Sequence, residues 1–102
     1  MKTTHWTSRR ARILAPKRRE DVGIETIGDD RIVSDAQTGA THHLNATAAM
    51  VWSWCDGRTM TRAMARRLTQ EFDVKLDDAQ DHVDQLVSFF AASNLLETAI
   101  VA

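Results

Sequence analysis

Proline, glycine and cysteine are scarce in this chain, and tyrosine is absent. The single cysteine, Cys55, excludes an internal disulfide framework and any multi-cysteine zinc site. The four glycines, Gly23, Gly28, Gly39 and Gly57, are scattered as turn residues, so there is no glycine-rich phosphate loop. No apolar run approaches the roughly 20 residues that span a bilayer, and no signal-peptide h-region follows Met1. Reduced cysteine and no export signal set the expectation of a cytoplasmic protein. With 102 residues, 43% apolar and 26% charged, the chain has the size and composition of one small globular domain.

What is present is a strong segregation of charge. Residues 1–20 carry seven basic side chains against Glu20 alone, whereas residues 21–102 carry six basic and thirteen acidic ones. A charge block of this kind reads as a solvated tail. Residues 1–20 are therefore expected to form a flexible basic arm, residues 21–98 the folded domain, and residues 99–102 a short tail.

Within the domain, Val22 to Ile27 has the pattern of a strand with Ile24 as its core residue. Gly28-Asp29-Asp30 supplies turn chemistry, and Arg31 to Ser34 resumes the β-branched pattern. A second polar turn over Asp35 to Gly39 leads to a short third strand, Ala40 to Leu44. Three strands joined by short loops make an antiparallel meander, which needs a cover on one face. Three helices follow. Asn45 caps the first, whose apolar stripe is Ala48, Val51, Trp52 and Cys55, with Gly57 as its terminating left-handed residue. Thr59 is expected to cap the second, with a seam of Met60, Met64, Leu68 and Phe72. Asp77 is expected to cap the third, with Val83, Leu86, Val87 and Phe90 inward and Asn94 ending it. The fold class is α+β: a three-stranded antiparallel meander on a three-helix bundle, winged-helix-like.

No catalytic template is met. Cys55 lies on an apolar stripe beside Asp56, a setting for a buried thiol rather than a nucleophile. His42 and His43 are adjacent in a strand, so their side chains point to opposite faces and cannot share one ion without distortion. Asp77, Asp78 and Asp81 sit where the dipole of the third helix favours acids. The expectation is a protein that is not an enzyme, with no metal and no cofactor.

Two kinds of binding module remain. A winged-helix nucleic-acid binder would use the basic arm and Arg58, Arg62 and Arg66, which recur every four residues on the second helix. Against it, the third helix has no Lys or Arg between Asp77 and Asn94, and an acidic recognition helix repels phosphates. The same arginines suit the docking of a protein partner, or a solvated face. The second kind is a peptide binder. The third strand lies at a sheet edge by meander order, and an exposed edge can accept an extended peptide as an added strand. The third helix would supply the adjoining wall through its second face, His82, Gln85, Phe89 and Ser93, beside the core stripe. Phe89 and Phe90 stand about 100° apart on a helix, so both cannot enter one core. An open edge can equally pair with a second copy and give a homodimer.

The stretch Leu44-Asn45-Ala46-Thr47-Ala48-Ala49, then Val51-Trp52, Cys55-Asp56-Gly57 and Thr59, resembles the core signature of the PqqD-like family. These are recognition elements for the precursors of ribosomally made, modified peptides (RiPP). The resemblance covers about residues 22–97 and rests mostly on caps and core positions. It implies a protein without catalysis of its own. Such a protein binds the leader segment of a precursor peptide beside the third strand and presents it to a modifying enzyme, of the radical SAM class in the pyrroloquinoline quinone pathway. Carried over by position, the strand contacts are Thr41, His42, His43 and Leu44, and the helix contacts are His82, Gln85, Leu86 and Phe89. Two departures stand out: His42 occupies a place where an aromatic or aliphatic residue is commoner, and Asn94 replaces the usual glycine.

Overall fold

The computed structural model describes residues 14–98. Its elements are β1 (Lys17–Arg18), β2 (Gly23–Ile27), β3 (Asp30–Ser34), β4 (Thr41–Leu44), α1 (Ala46–Ser53), α2 (Thr61–Glu71), α3 (Leu76–Ala92) and β5 (Leu96–Thr98). β2, β3 and β4 form the antiparallel meander expected from the sequence, in the order β2-β3-β4. Gly28, at φ 62°, opens the two-residue β2–β3 hairpin with the backbone that a glycine-first hairpin turn requires. The β3–β4 connection is closed by the Asp35 carboxylate, which accepts from the Gln37 N–H at 3.0 Å, and by the Gly39 N–H donating to the Asp35 carbonyl.

Directly opposed residues of an antiparallel pair share a face. The register Ile24↔Val33↔His42 and Arg31↔Leu44 therefore defines the inner face of the sheet. Val33 and Leu44 are buried there against α1, whose Ala48, Ala49, Val51 and Trp52 are buried too. α2 adds Met64, Ala65 and Leu68, and α3 adds Val83, Val87 and Phe90, the largest fully buried side chain. Ile24 has the expected facing but is 55% exposed, because the bundle lies under β3 and β4 and no helix covers β2. Met60 and Phe72, the residues that flank α2 at its two ends, are also partly exposed.

The caps divide. Asn45 accepts from the Ala48 N–H at 2.9 Å as expected. Thr59 and Asp77 do not cap their helices; Met60 and Lys75 hold those positions without side-chain bonds. Thr59 instead donates its N–H and hydroxyl to Asp56, whose carboxylate also takes the Arg58 N–H at 2.8 Å. α1 ends at Ser53, so Gly57 (φ 82°) lies in the connection, with its N–H donated to the Pro16 carbonyl. At the end of α3 the N–H groups of Asn94 (φ 58°) and Leu95 donate to Ala91 and Phe90, a Schellman motif built on asparagine.

Residues 14–20 belong to the folded body, whereas the sequence reading placed them in the arm. β1 pairs with β5 and bridges to Asp56, and Ala15 and Pro16 are buried. Arg19 is 8% exposed. Its guanidinium donates to Asp21 and Asp35, at 2.8 Å to the latter, and to the Asn94 carbonyl. These bonds hold both carboxyls below the usual range and raise the Arg19 pKa. The rest of the expected arm, residues 1–13, and the expected tail, residues 99–102, lie outside the described residues.

Candidate functional site

The edge of the meander is β4, and its backbone polarity follows from one hydrogen bond. The Asp35 N–H donates to the Ala40 carbonyl at 2.9 Å, in the same register as the strand pairs that follow. Bonded and non-bonded pairs alternate along an antiparallel ladder. Val33/His42 and Arg31/Leu44 are then the bonded pairs, and Thr41 and His43 turn their N–H and C=O groups to the free edge. Two residues of β4 thus hold the sheet together and two face outward.

The side chains split the other way. His42 points to the inner face, where its ring meets Phe89 of α3 edge-on, centroids 6.3 Å apart and planes at 81°. Phe89 in turn lies edge-on to buried Phe90 at 5.9 Å. Phe90 fixes α3 to the core and leaves Phe89 as a wall, 43% exposed, beside the β4 edge. Leu86 is half-buried against the core, one turn back from Phe89, and His82 and Gln85 are exposed further along the same helix face. His43 points to the outer face and meets Asp30, Nε2 to Oδ2, at 2.8 Å.

Of the eight residues expected at the site, the structure therefore gathers His42 and Phe89 in contact, with Leu86, Gln85 and His82 continuing the wall. Thr41 and His43 supply backbone rather than a side-chain surface. Leu44 does not fit: it is 1% exposed and its backbone faces β3, so it is a core residue. Arg62 and Arg66 are exposed on α2 and Arg58 is exposed just before it; none of the three is on β4 or α3.

Cys55 is buried and its Sγ lies 3.4 Å from the Val51 carbonyl; burial pushes the thiol up to about 12. Among the described residues no cluster of His, Cys, Asp and Glu could hold a metal ion. No helix among them is long and apolar enough to cross a membrane.

A second concavity, of about 670 Å³, opens at the other edge of the sheet between Ile24 of β2 and α1, with Met50, Trp52 and Phe72 among its walls. The residues that the sequence pattern assigns to the core, Ile24 and Phe72, line it because β2 projects beyond the bundle.

Compared with known proteins, the chain matches the family described as Coenzyme PQQ synthesis protein D (PqqD) over residues 30–96. Two solved structures are similar. One is described as TbiB1 in complex with the TbiA(beta) leader peptide, at TM-score 0.71 and 21% identity over 79% of this chain and 94% of that one. The other is a lasso peptide synthetase B1 complexed with the leader peptide, at TM-score 0.69 and 22% identity over 84% and 98%. No curated protein matches the chain. At these identities the two structures establish a shared fold.

Proposed function

The chain belongs to the PqqD family, and on that premise we propose that it captures the leader segment of a ribosomally made precursor peptide by strand addition at β4. It then presents that precursor to a peptide-modifying enzyme and performs no chemistry itself. The observation that carries this reading is the free β4 edge, with Thr41 and His43 backbone groups turned outward beside the Phe89 wall. An added strand would exchange hydrogen bonds with those two residues. Its intervening side chain, opposite His42, would point inward onto Phe89 and Leu86. Backbone bonds supply affinity in such complexes, and the pocket for alternate side chains supplies choice. The leader peptides named in both similar structures support a leader peptide as the ligand. The acidic face of α3 disfavours the nucleic-acid alternative.

The alternation along β4 makes the test sharp. Proline at an edge strand is tolerated where its missing N–H would have faced solvent. His43→Pro therefore spares the ladder and removes a donor the leader needs, whereas His42→Pro breaks the sheet. The ligand is the labelled N-terminal half of a short precursor encoded beside the gene, titrated by fluorescence polarisation. The expected result is saturable binding that His43→Pro abolishes with its circular dichroism unchanged, while His43→Ala retains it. Equal binding by wild type and His43→Pro would remove strand addition at β4.

A further inference from the structure

The outer surface of α2 has a property that neither helix stability nor the peptide groove accounts for. Arg62 and Arg66 are exposed one turn apart on α2, and Arg58 is exposed in the turn that leads into it. Among the described residues, none of the three guanidinium groups takes part in a salt bridge or hydrogen bond. The other arginines here are engaged: Arg18 and Arg31 donate to carbonyls, Arg19 to carboxylates, and Arg67 lies 5.3 Å over the Trp54 ring. The row is also badly placed for the helix. Arg62 is in the first turn of α2, which contains no acid, where the macrodipole disfavours a cation.

We infer that this face of α2 is a docking surface for an acidic face of a partner protein, separate from the peptide groove. Charge complementarity selects the partner's sign, and the acids of the neighbouring helix select its class. The neighbouring α3 carries Asp77, Asp78 and Asp81. A nucleic acid, charged along its whole length, meets that repulsion, whereas a protein with a local acidic patch meets only the arginines. α2 packs chiefly on α3, whereas the peptide edge is β4, so the inferred docking face and the peptide groove stand on different elements.

The test uses the full chain and a labelled helical peptide presenting glutamates at i, i+4, i+8 and i+12, beside a labelled 16-base-pair DNA duplex. The variant is Arg62→Glu/Arg66→Glu; its glutamate at 62 suits the helix dipole, so the fold is retained, as circular dichroism checks. The expected result is saturable peptide binding in 50 mM salt, weakened at least tenfold by the charge reversal and unaffected by Phe89→Ala. Absence of saturable peptide binding at that salt would overturn the inference. So would equal binding by the reversed variant, or tighter binding of the duplex lost through the same reversal, which would make the row a nucleic-acid surface.

Discussion

Asp56 turns the chain between α1 and α2 with one carboxylate. The Thr59 and Arg58 N–H groups, at 2.7 and 2.8 Å, and the Thr59 hydroxyl stabilise its charged form and hold its pKa at about 2, down from 3.8. A depressed folded-state pKa means stability that is complete above the unfolded value and is lost as pH falls through the folded one. Asp56→Ala should therefore lower the melting temperature at pH 7, and the gap from wild type should close between about pH 4 and about pH 2. Thermal melts across that range check the sign; a gap independent of pH would mean that the turn does not depend on the charge. Its neighbour Cys55 gives a second residue-level outcome. A buried thiol near 12 supplies almost no thiolate at pH 8. Alkylation by iodoacetamide should wait for unfolding, and rapid native-state labelling would contradict the burial. Phe89 and Phe90 make a third. Phe90→Ala should cost about 3–5 kcal/mol of stability by emptying a filled core site. Phe89→Ala should leave urea unfolding nearly unchanged and weaken leader binding by roughly 1–3 kcal/mol if the side chain is an anchor.

At the scale of elements, periodicity made α1, α3 and the meander legible, because each buries one face and the apolar residues mark that face. The same count shows that Phe89 and Phe90 cannot share a core, and the stripe that contains Phe90 leaves Phe89 outside it. Asn94 was legible as the left-handed residue because asparagine tolerates that conformation. Other readings failed for want of information that spacing does not carry. Ile24 alternates correctly and faces inward, but whether a helix lies beneath β2 depends on where the bundle ends. Thr59 has the chemistry of a cap and is taken by Asp56 instead, since a charged acceptor three residues back captures both of its donors. Leu44 was read as a contact, yet it shares the inner face of β4 with His42 and lies where α1 covers that face, so it is buried. The Asn94 backbone makes a further outcome specific. Asn94→Gly should stabilise the chain modestly, because glycine holds φ 58° without a Cβ penalty; urea midpoints equal to or below wild type would show that the asparagine side chain contributes more than its strain costs.

At the scale of the molecule, the least legible feature is how the start of the domain is fastened. Residues 14–20 look like the end of a basic arm because six of residues 9–19 are Lys or Arg and only the short run Leu14, Ala15 and Pro16 hints at burial. Their partners come from distant positions: Leu14 accepts from the Thr61 N–H, Pro16 from the Gly57 N–H, Arg18 donates to Cys55 and Arg19 to Leu95. The Arg19 guanidinium closes the arrangement on Asp35 and Asn94, which joins the β3–β4 loop to the end of α3. No local pattern announces an ion pair across sixteen residues. The consequence for stability is large for a small domain. The four backbone bonds at about 0.5–1.5 kcal/mol each amount to roughly 2–6 kcal/mol, beside a typical total of about 5–15 kcal/mol. Their loss would also strip β5 of its partner strand and leave the Asp35 carboxylate buried without Arg19. A chain beginning at Asp21 should accordingly unfold at much lower urea than one beginning at Leu14, and should bind leader peptide only to the extent that it remains folded. Superimposable urea curves for the two chains would mean that the meander and the helices hold the fold without this strap.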